Sequence, residues 1–309
     1  MPDTYFTAAP HWTWYIVAYF FIGGIAGTGF VLAALLQFFG RPEDRPLVRI
    51  GYYVAVGGAV LSGLLLIIDL NRPDRFWHMM IESNTGRPMF KSWVPMSVGV
   101  WGVLLFGLFS SLAALSVLGE DRPGWKFTRW APVRALGGGL PAALIAAPGA
   151  LFGLFLAGYT GVLLSVTNRP LWADSNLVGL LFLVSGFSTG AAALYLLARR
   201  RRVGHPGSVA WLTWLDQRVL LVELVVLIAF LVSLGPVIEI LVGWWGVLLL
   251  LGVVGLGILV PLWLARGVHA GGRAAQAAVL VLVGGFLLRV VVILSSHEVH
   301  VFGSGVALP

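Results

Sequence analysis

Apolar residues along the chain fall into eight long runs separated by short polar links, near residues 14–39, 48–70, 93–118, 136–164, 176–198, 216–235, 240–265 and 274–296. Each run approaches or exceeds the ~20 residues that a helix needs to cross a bilayer. A segment exposed to lipid must satisfy its backbone hydrogen bonds within itself, so all eight are predicted to be α-helical. The predicted fold class is an all-α integral membrane protein of eight transmembrane helices, forming one membrane domain over 1–309.

The polar links carry the second signal. With the N-terminus outside, the inner links hold Arg41, Arg45, Arg49, Arg122, Lys126, Arg129, Arg134, Arg199, Arg200, Arg201, Arg202, Arg218, Arg266 and Arg273, fourteen basic residues. The outer links hold five: Arg72, Arg75, Arg87, Lys91 and Arg169. Arg289 lies inside a span. This positive-inside bias puts both termini outside, and places the segments Asp69–Lys91 and Thr167–Ser175 on the outer face with His11, His297 and His300.

Composition agrees. Hydrophobic residues make up 59% of the chain and charged residues 11%, against about 25% charged in a soluble domain. The net charge of +7 is read as the inner-face anchor, with no nucleic-acid partner. No Lys or Arg precedes Arg41, so the first run lacks the basic start of a cleaved signal peptide and is expected to remain as a helix. Zero cysteines leave no thiolate for an iron–sulfur cluster. All six histidines fall in links or at span ends, so no intramembrane haem is expected in this chain either.

Two segments could carry chemistry. DLNRPDRFWHM, Asp69 to Met79, leaves the second span; Pro73 pushes Arg72 out of helical geometry and can open a short new helix. Within a link of ~20 residues, a length that is often functional, Asp69 and His78 are the groups able to exchange protons. Trp77 and Trp93 are read as interfacial aromatics, and Arg72 and Arg75 as snorkelling cations. The other segment is YTGVLLSVTNRPLWADS, Tyr159 to Ser175. Tyr159 lies roughly 12 Å below the helix end and Tyr19 roughly 8 Å below Trp14. Tyr19 suits the interface, whereas Tyr159 is deep enough that its hydroxyl needs a partner inside the bundle.

Three further features are weighed. Glycines such as Gly23 and Gly27 are read as close helix packing, and the GTG of the first helix follows no strand, so it is not a nucleotide loop. GIAGTGFVLAALL from Gly24 and GFSTGAAALYLL from Gly186 match faintly, suggesting parallel repeats of helices 1–4 and 5–8. Glu223 and Arg289 are ionisable residues at bilayer depth, read as structural partners of polar groups or as steps of a proton path.

The pairing of DLNRPDRFWHMMIESNTGRPMFKSWVPMSVGVW with YTGVLLSVTNRPLWADS, with GGIAGTGFVLAALL in the first span, resembles the NrfD-like family, the membrane subunit of polysulfide reductase and its relatives. The resemblance implies a haem-free quinol-binding anchor of two four-helix bundles: helices 1–4, about 14–164, with the quinone site, and helices 5–8, about 176–296. It implies menaquinone or ubiquinone as cofactor. It also implies an extrinsic ferredoxin-like iron–sulfur subunit and a molybdopterin catalytic subunit on the outer face of a prokaryotic cytoplasmic membrane. The family's quinone-contacting tyrosine corresponds to Tyr159, with Tyr19 and Arg72 placed in the same pocket. Asp69, Arg72 and His78 fall in the region that roofs it. Where some relatives carry histidine or asparagine on the outer half of the first helix, this chain has Trp14, Tyr15 and Tyr19. The rival readings are a transporter using Glu223 and Arg289, a bare anchor without quinone, and the membrane subunit of an alternative complex III.

Overall fold

The computed structural model describes residues 12–122, 124–126, 128, 130–265 and 271–297; His11 and His300 lie outside these. Among the described residues there are eight long helices: α1 Trp14–Phe39, α2 Arg45–Asp69, α3 Pro95–Asp121, α4 Gly139–Ser165, α5 Leu177–Arg201, α6 Pro206–Ser233, α7 Trp244–Ala265 and α8 Gly271–Leu294. Seven of them are long and apolar enough to cross a membrane, and α6 makes an eighth when joined with the Gly235–Leu241 helix that follows it at 110°. The protein is an all-α membrane protein; among the described residues the single β feature is an isolated bridge between Ile81 and Pro88.

The helix boundaries follow local chemistry. Proline stands in the first turn of α2, α3 and α6, where its missing N–H leaves no bond unmade. The main departure from the hydropathy pattern is α6, which begins at Pro206 instead of near 216. Its first ten residues carry no charge and are set apart from the longer apolar run by Asp216, Gln217 and Arg218, yet they belong to the same helix, capped by His205 Nδ1 accepting from the Gly207 N–H at 3.1 Å. At the other end Gly235 takes φ +53°, a conformation that glycine adopts without penalty, and this turns the chain sharply. The middle of α7, Leu248–Leu259, is wound as a π-helix.

Helix α1 is the centre of the molecule, packed on α2, α4, α5 and α8, while α5 packs on α1, α4, α6 and α8. These two are the most enclosed spans; α2, α3, α4 and α7 give most of their surface to lipid. Glycine sets the closeness of these crossings. A Cβ added to Gly27 of α1 would lie 2.3 Å from the Gly153 carbonyl oxygen of α4, and one added to Gly153 would lie 2.6 Å from that of Gly27. Where α1 meets α5, a Cβ on Gly24 would stand 3.8 Å from the Gly186 Cα. Thr28 Oγ1 sits 2.7 Å from both the Gly24 and the Gly186 carbonyl oxygens, sharing one proton between them. The two glycine-rich segments of similar sequence therefore face each other at the centre.

At the arginine-rich end, Arg45 and Arg49 of α2 pair with Glu120 at 2.5 and 2.7 Å, and Arg49 also reaches Asp121 at 2.6 Å. The Tyr53 hydroxyl donates to Asp121 at 2.7 Å. All four charged groups are partly exposed, so this network contributes little stability per pair. Its effect is to fix the register of α2 against α3.

Candidate functional site

A cavity of about 240 Å³ opens at the end of the bundle where the two motif segments emerge. Its walls come from α1 to α4: Ile16 and Tyr19 from α1, Leu66 and Asp69 from α2, Val103 from α3, and Tyr159 from α4. Tyr19 is 2% exposed and Tyr159 7%, whereas Met96 and Leu104 at the rim are open to the surroundings between α2 and α3. The opening is thus lateral and apolar, with the two tyrosines held at the back and the half-buried Asp69 nearer the rim.

Tyr159 is positioned by three contacts. Its hydroxyl donates to the Pro95 carbonyl at 2.7 Å, supplying the partner that its depth requires. Its ring stacks on Phe155 at 5.0 Å between centroids. Gly99, one turn into α3, clears the space, since a Cβ there would lie 2.1 Å from the Tyr159 hydroxyl oxygen.

The cover is built from the Asp69–Lys91 link. Pro73 opens a short helix, Pro73–Met79, that lays Phe76 and Met79 over the cavity. A small hairpin follows, closed by Met89 N–H donating to the Met80 carbonyl at 2.7 Å. Trp101 Nε1 of α3 donates to the Met89 carbonyl at 3.0 Å and pins the hairpin down.

The N-R-P-L-W segment acts differently from the cover. Trp172 is fully buried, and its indole N–H donates to the Val292 carbonyl of α8 at 2.7 Å. Arg169, also buried, lies over the Trp172 ring and donates to the Ser296 carbonyl at 3.3 Å. Trp12 also stacks on Trp172, at 5.3 Å between ring centroids, and forms part of the cavity wall. Leu171 adopts φ +70°, and its N–H donates to Asp174 Oδ2 at 2.7 Å. The motif therefore ties the end of α8 to the start of α1, and reaches the cavity through Trp12.

Of the residues singled out from sequence, Tyr19, Asp69 and Tyr159 are brought together on one cavity. Arg72 and His78 are in the cover but do not line it: Arg72 is exposed, and His78 is half-buried with its ring edge-on to Trp77 at 3.9 Å. Glu223 and Arg289 are far along the fold on α6 and α8, joined through α5. Ser188 Oγ donates to Glu223 at 3.0 Å, and Arg289 donates to Ser185 Oγ at 2.9 Å and to the Gly285 carbonyl at 2.7 Å. The Arg289 guanidinium is held between the Phe21 and Phe182 rings at 5.8 and 5.2 Å. Sequence reasoning missed Asp216, whose Oδ1 is buried without a hydrogen-bond partner two turns below Glu223 on α6. Its place beside the charge break at the start of the apolar run hid it. Gly99 was also missed, because a lone glycine in a glycine-rich helix carries no signal of which side chain it faces.

This geometry defines a class: a multi-pass helical membrane protein with an apolar, laterally open cavity near one surface, carrying two phenols and a carboxylate. Comparison with known proteins makes that class specific. The model of the family described as "Polysulphide reductase, NrfD" matches residues 6–299, and the chain belongs to that family. It is 30% identical to Protein NrfD of Escherichia coli (strain K12), over 90% of this chain and 92% of that protein. It is 27% identical to a polysulfide reductase chain of Wolinella succinogenes, over 90% of this chain and 92% of that protein. A shorter match, 27% identical over 34% of this chain and 21% of the relative, is to a putative dimethyl sulfoxide reductase membrane subunit of Halobacterium salinarum.

Proposed function

We propose that this chain is the quinone-binding membrane anchor of a multi-subunit reductase, exchanging electrons between the quinone pool and an extrinsic iron–sulfur subunit that serves a molybdopterin catalytic subunit. The observation that carries the reading is the convergence of Tyr19, Asp69 and Tyr159 on one apolar cavity open to the side. The names of two relatives, a polysulfide reductase chain and a reductase membrane subunit, support the assignment to a reductase complex. The arginine distribution supports an outer position for the cavity end, hence for both termini and for the docking of the extrinsic subunits. The packing of α1 to α4 around the cavity supports a first half that holds the quinone and a second half, α5 to α8, braced against it.

The cavity suits a quinone headgroup on size and lining. A cavity of roughly 150 Å³ binds benzene, so one of about 240 Å³ takes a ring with its substituents, and the lateral opening leaves a path for an isoprenoid tail. Menaquinone and ubiquinone both fit this description. When bound, the quinone supplies the two-electron, two-proton chemistry. Tyr159 orients it by turning its hydroxyl from the Pro95 carbonyl to a ring oxygen, Tyr19 closes the inner wall, and Asp69 at the rim takes up or returns the protons. Arg72 and His78, outside the cavity, serve the cover and the path of protons to the outer water.

A second proposal concerns Glu223 and Arg289. Both are buried, at 3% and 0% exposure, and with Ser185, Ser188 and Asp216 they place polar groups on α5, α6 and α8. An ionisable group at such depth is costly; the hydrogen bonds to Ser185 and Ser188 support a structural role as partners of polar groups, and a proton path across the second half is the alternative.

Titration of the purified protein, with its copurifying subunits, by a fluorescent quinol analogue tests the main reading. Losing one hydrogen bond of about 0.5–1.5 kcal/mol in Tyr159→Phe is expected to weaken binding by about 2- to 12-fold. Saturable binding that is unchanged in the variant removes Tyr159 from the site, and no saturable binding in either protein leaves the transporter or bare-anchor readings ahead.

A further inference from the structure

A second cavity, of about 420 Å³, lies at the arginine-rich end, between the foot of α1, the α1–α2 link and the start of α6. It is remote from the quinone cavity and none of its residues takes part there. Its apolar wall is made by Leu35, Phe39 and Trp211, and its polar wall by Arg41, Asp44 and His205. We propose that it binds the headgroup of an anionic phospholipid from the adjacent leaflet, with Arg41 and His205 on the phosphate and Phe39 and Trp211 along the glycerol and first acyl carbons.

The position of the walls is the first argument. Phe39 is the last residue of α1 and is 83% exposed, while Trp211 is half-buried opposite it. Arg41 follows two residues later, where the apolar run has stopped. The cavity therefore spans the boundary between hydrocarbon and headgroups, a level at which aromatic rings and cationic side chains are both at home. A water-soluble anion gains nothing from an exposed phenylalanine wall, whereas a phospholipid meets both halves of the site at once.

The second argument is the orientation of the polar groups. His205 Nδ1 already accepts the Gly207 N–H at 3.1 Å, so a neutral ring carries its proton on Nε2 and has a donor to offer. Asp44, the carboxylate in the lining, is 6% exposed and occupied on both oxygens: Oδ2 accepts the Arg41 N–H at 2.8 Å and Oδ1 accepts the Ser208 hydroxyl. Its role is to join the α1–α2 link to α6 and hold the walls apart. Arg199, Arg200, Arg201 and Arg202 end α5 a few residues before His205, so the surroundings remain strongly positive. Basic pockets between transmembrane helices at the positively charged face are suited to anionic headgroups.

The test uses the purified protein with its copurifying subunits, delipidated and then exchanged into nanodiscs of phosphatidylcholine alone or with phosphatidylglycerol, and reads bound lipid by native mass spectrometry. Wild type is expected to retain phosphatidylglycerol in preference to phosphatidylcholine. Arg41→Gln combined with His205→Gln is expected to lower phosphatidylglycerol retention about tenfold and to leave phosphatidylcholine unchanged. Both side chains are exposed, so neither substitution empties the core, and unchanged binding of the quinol analogue verifies the fold. Should the double variant fold poorly, Arg41→Gln alone is expected to give a smaller loss of the same selectivity. No preference for phosphatidylglycerol in wild type, or equal retention by the variants, overturns the proposal. So does full displacement of the retained phosphatidylglycerol by inorganic phosphate, which would mark a site for a free anion.

Discussion

Gly99 of α3 is the space into which Tyr159 of α4 fits: a side-chain carbon at Gly99 would lie 2.1 Å from the tyrosine hydroxyl oxygen and 2.2 Å from Cζ. The two residues are on different helices, and the hydroxyl thus set in place reaches the Pro95 carbonyl one turn away. Gly99→Ala is therefore predicted to displace the ring into the cavity and weaken the quinol analogue at least about tenfold, with overpacking costing about 1–3 kcal/mol of stability. Wild-type affinity in a variant that folds would show that the ring can move without disturbing the site.

Trp172 offers a prediction about the cavity wall. Its indole N–H bonds to Val292 and its face carries Trp12. Trp172→Phe removes a hydrogen bond between the α4–α5 link and α8, worth about 0.5–1.5 kcal/mol, and shrinks the platform under Trp12. A lower thermal midpoint and a weaker quinol analogue are both expected, although Trp172 does not line the cavity. Loss of stability with unchanged affinity would confine the residue to tying α8 in place.

Helix packing gives a prediction with an internal control. Gly27→Ala drives a methyl group into the Gly153 carbonyl, whereas Gly57→Ala on α2 meets no atom within 4 Å. The first is expected to lower the thermal midpoint in detergent, at a cost of about 1–3 kcal/mol. The second should be neutral or slightly stabilising, because alanine is the better helix former. Equal midpoints would mean that α1 and α4 separate more readily than their close crossing implies.

The charges of the second half are predicted to act together. Glu223 and Arg289 are each anchored to serines one turn apart on α5, and removal of one leaves the other buried. Arg289→Gln is expected to destabilise by about 3–5 kcal/mol, with the Glu223→Gln, Arg289→Gln pair recovering about 0.5–3 kcal/mol relative to the sum of the single variants. Thermal unfolding of the four proteins measures this coupling. If the group forms a proton path, proton uptake by the reconstituted complex falls in Glu223→Gln while quinol-analogue binding persists.

Much of the molecule was legible before its structure. The spans could be read because a helix in lipid is fixed by its own residues: apolar side chains outward, backbone bonds satisfied within the segment. The motif segments pointed to Asp69 and Tyr159 because ionisable and phenolic groups at that depth are rare enough to stand out, whereas Tyr19, expected at the interface, is instead buried in the bundle against the same cavity. The early start of α6 was not legible, since hydropathy reports where a helix meets lipid and not where its hydrogen bonds begin.

Only the tertiary structure decided which of these groups meet. It put Tyr159 against Gly99 and left Arg72 and His78 outside the cavity, gave Trp172 a partner 120 residues away, and placed Asp216 among buried neighbours. The physical reason is range: insertion depends on properties summed along one segment, whereas a site depends on which faces of separate helices come into register. That register is set by close glycine crossings and single hydrogen bonds between residues far apart in the chain.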